Sequence, residues 1–536
     1  MKLPEHELIW KEYEKALDFN AAIGLNETVR TNENFFIGKQ WEGVEANGLP
    51  TPVFNFLKRV VLFTVSGLSS GSIKMAAAPM DGETKRSGLI ADVVNDEFVR
   101  LFESNKIGAL IRQFMRNAAV DGDSCLYTYW DPDAVSGHPV SGAIVTEVVE
   151  NNRVFFGNPN DRRVEKQPYI IISSREPVSD VRKRALRSGQ PGCELISPDE
   201  DERGIDSAHM TDDKVTVLLK LWRDADTGKI WACESAKTAV IREPFSTGLS
   251  LYPVTWLNWD YIQDCYHGQA MITGLIPNQI FINKLFAMSM ISLMTTAYPK
   301  VLYDKTRIAR WDNRVGAAIP IAGGDVHSVA RIMDPAAISP QIAQFIDLSV
   351  GYTQTFLGAT SAALGDVRPD NTSAIIALQK ASALPNELIQ QNLYQCIEDL
   401  GRVYLDFMGE YYGTREVYTH HAEAGEGAWR EFDFRSLRDA RLSLRLDVGA
   451  SSYWSEIASI QTLDNLMISG KLDLVDYLER IPNGYIAKKQ ELLDKLRDRE
   501  KPQADPGATG QTGPLQIESL FPPRAGNPLT QLNQAE

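Results

Sequence analysis

Few stretches of this 536-residue sequence place residue types at a spacing that supports catalysis or cofactor binding. It has no GxxxxGK[ST] phosphate-binding loop and no HExxH zinc motif. Residues 67–71 (GLSSG) fit a turn better than a nucleotide-binding loop, because no clear strand precedes them. No two carboxylates form a recognisable acid–base pair. The sequence therefore gives no positive indication of catalytic residues, and we predict that the protein is not an enzyme.

Candidate metal ligands are equally sparse. His420 and His421 are adjacent, and adjacent side chains on a strand point to opposite faces, which disfavours joint metal ligation. The acidic run at 199–202 has the chemistry to bind a cation, but such runs more often form solvated loops. The five cysteines lack CxxC spacing, which argues against a zinc site or a disulfide framework and favours a reducing compartment. We predict no metal and no cofactor.

Positive charge is concentrated in one short segment of an acidic chain. The net charge of −15 argues against a protein that coats nucleic acid non-specifically. Residues 299–335 instead carry six basic side chains against four acidic ones. The basic residues are Lys300, Lys305, Arg307, Arg310, Arg314 and Arg331, and the acidic ones are Asp304, Asp312, Asp325 and Asp334. The alternative to a partner contact, for each basic residue, is an ordinary surface ion pair with one of these aspartates.

The basic segment lies between two predicted helices, at about 268–297 and 339–357. The first is apolar nearly all round its circumference, so neighbouring structure must cover it. Its cover is either the core of the monomer or further copies of the chain.

A long helix follows a loop rich in small residues. Between Ile389 and Tyr411 apolar residues recur at i, i+3, i+4 and i+7, which predicts a helix with one buried face. The helical pattern starts near Asn371. Pro385 lies inside it, where the missing backbone donor and the ring predict a kink.

The rest of the chain alternates helical and strand-like stretches, typical of an α+β protein. Helices are predicted at 1–30, 53–68, 89–120, 179–187 and 451–500, strands at 124–130, 142–150 and 169–173, a hairpin at 214–222 and 230–235, and further β structure at 415–450. The tail from residue 501 is rich in Pro, Gly, Gln and Asn and is predicted to be disordered. No apolar run reaches the length of a membrane span, and the N-terminus does not resemble a signal peptide. We expect a soluble, intracellular protein.

Four stretches, in this order, make the chain resemble the portal proteins of tailed bacteriophages over roughly residues 30–500. They are FFIGKQW at 35–41 with residues 52–55 and the following helix, the helix pair around the basic segment, LGATSAALGDVRPDNTSAIIALQ at 357–379, and DVGASSYWSEIASIQTLDNLMISGKLDLVDYLERIPNGYI at 447–486. Two features depart from the family pattern. The Pro-rich C-terminus makes a long helical barrel unexpected, and the acidic loop at 190–213 has no counterpart that we can assign.

The resemblance implies a portal-like α+β fold with named parts. These are a β-containing wing (1–265 and 413–450), two stem helices (266–298 and 339–357), a small α/β clip (299–338), a tunnel loop (358–371), a long kinked helix (372–412), a helical crown (451–500) and the tail at 501–536.

The resemblance also implies a function and partners. Portal proteins form a ring, usually of twelve subunits, at one capsid vertex of the virion, assembled in the host cytoplasm. Double-stranded DNA passes through the ring when terminase packages it and when it is ejected. The implied partners are the terminase large subunit, head-completion or adaptor proteins, tail proteins, and the major capsid and scaffolding proteins, with no membrane involved. The alternatives are a terminase-like nuclease or ATPase, or a different connector or capsid protein.

By the same resemblance, two groups of residues face DNA or partners. In the clip and stem these are Lys300, Lys305, Arg307, Arg310 and Arg314. In the tunnel loop they are Thr360, Ser361, Asp366, Arg368, Asp370 and Asn371. Arg368 is the candidate for a transient phosphate contact, and a salt bridge that anchors the loop is the alternative. Pro385 is implied to let one helix line the tunnel and still reach the wing.

Overall fold

Helices and antiparallel strands are mixed along the chain in a computed structural model, which agrees with the predicted α+β class. The chain divides into two compact units, residues 1–452 and 453–536. The structure describes residues 5–45, 48, 50–69, 73–80, 85–134, 142–190, 192–199, 213–297, 300–312, 314, 317–332, 341–356, 372–419, 428–448, 453–481, 489, 492–493 and 495–496.

Helices occupy most of the stretches predicted from periodicity. They are α1 (Glu5–Ala22), α2 (Leu25–Ile37), α3 (Phe56–Leu68), α4 (Lys85–Ser104), α5 (Ile107–Asp121), α6 (Val178–Arg187), α7 (Ile276–Ala297), α8 (Val326–Val329), α9 (Gln341–Phe356), α10 (Thr372–Phe407), α11 (Tyr453–Ile468) and α12 (Leu474–Arg480). The single helix expected over 89–120 is two helices, because Lys106 adopts a left-handed φ of 50° between α4 and α5. Gly24, with φ 66°, likewise separates α1 from α2.

The strands among the described residues of the first unit form two sheets and three ribbons. They are β1 (Ile73–Pro79), β2 (Asp123–Asp131), β3 (Ala143–Val149), β4 (Val154–Phe156), β5 (Tyr169–Pro177), β6 (Lys214–Arg223), β7 (Ile230–Ser235), β8 (Val240–Ser246), β9 (Val254–Asn258), β10 (Val301–Tyr303), β11 (Ala330–Ile332), β12 (Thr414–Thr419), β13 (Ala428–Asp433) and β14 (Leu442–Val448). The sheets have the orders β4-β5-β6-β7-β8 and β3-β2-β9, and the ribbons are β1-β14, β10-β11 and β12-β13. The predicted hairpin is confirmed by the pairing of β6 with β7.

The main core lies between α3, α4, α5, α10 and the three-stranded sheet. Phe98, Phe114 and Tyr404 are each no more than 1% exposed within it. The Tyr404 hydroxyl pairs with Thr146 Oγ1 at 2.8 Å, and that hydroxyl pairs with Thr128 Oγ1 at 3.0 Å. These bonds join the long helix to two neighbouring strands of the sheet.

The long helix α10 buries the face that its spacing predicts. Leu393, Cys396, Ile397, Leu400, Val403, Tyr404 and Phe407 are all buried. The helix continues through Pro385 and ends in a π-helical turn, Met408–Tyr412. A kink at Pro385 stays a prediction.

The second unit contains α11 and α12. Leu478, Ile481 and Leu493 form its small buried cluster, and the Tyr477 hydroxyl donates to the Asp464 carboxylate. Residues predicted as helix between 482 and 500 lie largely outside the described part of the chain, as does the tail. The division of the chain into wing, stem, clip, tunnel loop and crown stays a prediction.

Two features of the described residues bear on membrane and metal binding. No helix among them is both long enough and apolar enough to cross a bilayer. No group of three or more His, Cys, Asp or Glu side chains among them is arranged to hold a metal ion.

Candidate functional site

The segment between α7 and α9 folds around the antiparallel ribbon of β10 and β11. The backbone N–H of Asp304 donates to Val329 O at 2.9 Å, which continues the pairing beyond the strands. Ile308 and Val329, each 2% exposed, form its apolar centre. A unit this small has little core, so most of its side chains face outward, including the five basic residues predicted to meet a partner.

Two of those five basic residues already have carboxylate partners. Arg314 donates through Nε and Nη2 to Asp312 Oδ2 at 3.0 and 2.6 Å, and Arg307 Nε lies 3.6 Å from Asp304 Oδ2. Hydrogen bonds from Arg314 lower the pKa of Asp312, and hydrogen bonds from Thr306 lower the pKa of Asp304. For Arg307 and Arg314 the structure therefore shows the ordinary ion pair that was the alternative.

The other three basic residues, Lys300, Lys305 and Arg310, are exposed. None of them forms an ion pair with another described residue. Arg310 and Trp311 line an open cleft, and the Trp311 ring stacks on Tyr303 with centroids 5.5 Å apart and an interplanar angle of 27°. These three cations are thus available to an anionic partner, and the rigid aromatic pair beside Arg310 offers it a flat apolar surface.

The helices that carry this segment, α7 and α9, expose many large apolar side chains. Asn278 Nδ2 of α7 donates to Thr353 Oγ1 of α9 at 3.2 Å. The apolar residues at least 40% exposed are Phe281, Met288, Met290, Leu293 and Met294 on α7, and Phe345, Leu348 and Tyr352 on α9. Exposed large apolar side chains grouped on neighbouring helices usually mark a protein interface. This favours copies of the chain, rather than the core of one subunit, as the cover predicted for α7.

The first half of α7 is anchored by buried amides. Gln279 Nε2 donates to Phe54 O at 2.7 Å and to Asn283 Oδ1 at 2.9 Å. Asn283 Nδ2 donates to Gln40 Oε1 at 2.6 Å, and Gln40 Nε2 donates to Phe35 O at 3.1 Å. The helix is therefore tied to the segment at 35–55, which contains the FFIGKQW motif and comprises the last turn of α2 and the loop that follows it.

That loop is itself closed by side-chain bonds. Trp41 Nε1 donates to Pro52 O at 2.9 Å, and Asn55 Nδ2 donates to Phe36 O at 2.9 Å. Asn55 also caps α3, since its Oδ1 accepts from Lys58 N at 3.1 Å. Sequence reasoning missed the roles of Gln40, Gln279 and Asn283. The available signal was a pair of amides at i and i+4 inside an otherwise apolar helix.

A buried Asp–His pair lies where β2 meets the segment leading into α7. His267 Nδ1 is 2.8 Å from Asp123 Oδ2. Asp123 Oδ1 accepts from Asn258 Nδ2 at 2.7 Å and from Gly268 N at 2.6 Å. The nearby Cys265 thiol has a pKa raised by burial, which makes it a poor nucleophile. The arrangement holds chain segments together and lacks an activated nucleophile.

A second buried carboxyl, Asp121, is close to this pair. Burial raises its pKa to about 7, against a lowering effect of Arg116. The repulsion of Glu33, Glu150 and Asp123 adds to the rise. Asp121 is thus a buried acid whose protonation changes near neutral pH.

Two residues from the stretches weighed as chemical sites have structural roles. Ser69 of the GLSSG stretch ends α3, and its Oγ donates to Val65 O at 2.7 Å. It therefore follows a helix rather than a strand, unlike the loop of a nucleotide-binding motif. Asp199, first of the acidic run, is half-buried, pairs with Arg175 and accepts from Thr216 N at 2.9 Å. The structure corrects the expectation that Asp199 belongs to a solvated loop.

Several predicted residues lie outside the described part of the chain. They are Thr360, Ser361, Asp366, Arg368, Asp370 and Asn371 of the predicted tunnel loop, together with His420 and His421. Their predicted roles stay predictions.

A match to a known protein family covers half of the chain. A search of curated proteins found no match. Residues 166–433 match the family described as phage P22-like portal protein. That match includes α7, the basic segment, α9, α10 and much of the β structure, and we conclude that this chain belongs to the phage P22-like portal protein family.

Proposed function

We propose that the chain is the repeating subunit of a ring at one capsid vertex, through which double-stranded DNA is packaged and later ejected. Membership of the portal family implies a ring-forming oligomer that interacts with capsid, terminase and tail components. The family is structural rather than catalytic. The structural observation that carries the proposal is the uncovered apolar surface of α7 and α9, which identical neighbours in a closed ring would bury.

The charge distribution agrees with a conduit. DNA must slide through a channel, and each neutralised phosphate would add affinity and slow it. A chain with net charge −15 and only local positive charge suits that requirement. In this proposal Lys300, Lys305 and Arg310 meet terminase, an adaptor or DNA, and the loop at 358–371 lines the narrowest part of the channel.

Imaging of the purified protein by negative-stain electron microscopy tests the proposal. We expect closed rings with a central hole wide enough for a DNA duplex. Monomers at every concentration, or open filaments alone, would contradict it.

Deletion of residues 360–370 tests the role of the loop. Because the deleted residues carry three of the charges predicted to face DNA, we expect rings to assemble while DNA packaging or retention falls. A chain that no longer folds after the deletion would show instead that the loop is structural.

A further inference from the structure

We propose that a chain of three buried amides, Gln40–Asn283–Gln279, fixes the rotation and the axial position of α7 against the segment at 35–55. We call these three side chains the amide chain. The claim concerns a single subunit and goes beyond the proposed function. Only its consequence for the ring rests on that function.

Apolar packing alone does not give α7 one orientation. Ile282 and Ala287 are buried, whereas Phe281 and Met288, which lie next to them in sequence, are 47% and 59% exposed. Since apolar residues cover nearly the whole circumference, rotating or sliding the helix would exchange one apolar side chain for another. The buried apolar area would change little, so apolar burial distinguishes only weakly between different rotations and axial shifts of α7.

The amide chain does select among positions. Gln40, Gln279 and Asn283 are 7%, 0% and 2% exposed, so water does not compete for their polar atoms. The bonds run from Phe54 O through Gln279 and Asn283 to Gln40 and end at Phe35 O. Both ends of the chain are therefore backbone carbonyls, one in the last turn of α2 and one just before α3.

A shift of α7 by one turn, about 5.4 Å, would break the two bonds that cross from the helix, Gln279 to Phe54 O and Asn283 to Gln40. Each broken bond would leave a buried amide group short of a partner, which costs the desolvation of that group. A single buried polar residue at a helix interface is known to fix register in this way. The amide chain thus penalises every position of α7 except the observed one.

The consequence for the ring follows from the position of α7. The helix leads directly to the basic segment at 299–335, and its exposed apolar side chains belong to the proposed subunit interface. Its rotation decides which side chains face the neighbouring subunit. The amide chain is therefore a positioning element for ring geometry.

Cysteine cross-linking measures the position of α7 directly. The rings of Phe54 and Phe286 stack with centroids 3.9 Å apart, so a short bismaleimide should join Phe54→Cys to Phe286→Cys. Met290 lies one turn further along, and Phe54→Cys with Met290→Cys reports a slipped helix. Cys193 and Cys265, the native thiols that are not buried, are replaced by Ser in all variants.

The test variant is Gln40→Met with Gln279→Met and Asn283→Leu, which replaces the amides by apolar groups of similar size. We expect a folded protein in which cross-linking at 286 falls severalfold and cross-linking at 290 rises. An unchanged cross-linking pattern would overturn the proposal. If the triple variant does not fold, Gln40→Met alone is measured with the same expectation and the same contradicting result.

Two controls separate positioning from stability. Asn278→Leu removes an amide of the same helix that bonds to α9, and it should leave the pattern unchanged. The double variant Gln40→Asn with Asn283→Gln exchanges the two side chains, so it retains the amides and their combined length. It should give the wild-type cross-linking pattern.

If the wild-type protein forms rings, the triple variant should give rings of mixed symmetry. If the wild-type protein forms no rings, the proposed function is wrong. The cross-linking result still shows whether the amide chain fixes the position of α7.

Discussion

His267 Nδ1 lies 2.8 Å from Asp123 Oδ2, and both side chains are almost completely buried. The other oxygen of Asp123 accepts from the side chain of Asn258 and from the backbone of Gly268. One carboxylate thus joins the start of β2 to the end of β9 and to the segment that leads into α7.

Replacement of Asp123 by Asn should destabilise the protein by about 2–4 kcal/mol. The asparagine side chain has one oxygen in place of two, so its N–H₂ group would face a donor that then lacks an acceptor. Urea unfolding measures this change. Asp264→Asn is a matched control, since Asp264 is exposed in the neighbouring loop. A loss below about 1 kcal/mol for Asp123→Asn would contradict the assigned role.

The buried Asp121 predicts a pH dependence of stability. Its pKa is about 7 in the folded chain, against 3.8 as the ordinary value. Between these values the folded state holds a proton that the unfolded state has lost, so this group makes stability fall as pH rises. Above pH 7 its effect is constant.

Asp121→Asn should remove that dependence. We expect the free energy of unfolding of the variant, relative to wild type, to increase by about 3 kcal/mol between pH 5 and pH 8. Urea unfolding at both pH values measures it. A difference that does not change with pH, or that changes with the opposite sign, would contradict the raised pKa.

Gly122 lies so close to Gly268 that we expect any larger residue at position 122 to destabilise the protein. Gly122 has φ 100°, and a Cβ there would lie 2.7 Å from the carbonyl oxygen of Gly268. Gly122→Ala should therefore cost more than about 2 kcal/mol. Gly108→Ala, in the open part of α5, should be neutral or stabilising by up to about 1 kcal/mol. Equal thermal midpoints for the two variants would contradict this contrast.

Some basic residues of the segment are already paired with an aspartate and others are not, so we expect their substitution to affect DNA packaging to different extents. Arg310→Gln should reduce ATP-driven DNA packaging by assembled particles, since Arg310 has no ion pair within the described residues. Arg314→Gln should have a smaller effect, because that guanidinium is paired with Asp312. Both residues are exposed, so the thermal midpoint should change little. Wild-type packaging by Arg310→Gln would contradict its proposed role.

Pro385 lies within an uninterrupted α10. Its substitution by Ala restores a backbone donor and should stabilise a straighter helix. We expect ring assembly or packaging to be impaired even though the isolated helix gains stability. Ring images and packaging assays measure the effect, and fully wild-type behaviour in both would count against a functional kink.

The sequence by itself determined the features that rest on local patterns. The buried face of α10 follows from apolar spacing, and the β6–β7 hairpin follows from alternation around a turn. The order of four motifs was sufficient to indicate the portal family, which the match over 166–433 shows. Each of these signals extends over residues that are neighbours in the chain.

Only the tertiary structure decided which distant polar residues meet. Asn283 and Gln40 are 243 positions apart, and His267 and Asp123 are 144 apart. The pairing of β1 with β14 is equally remote. No periodicity links such residues, because folding brings them together through the packing of the elements that carry them. For the same reason the sequence could locate the basic segment but not show which of its cations are already paired.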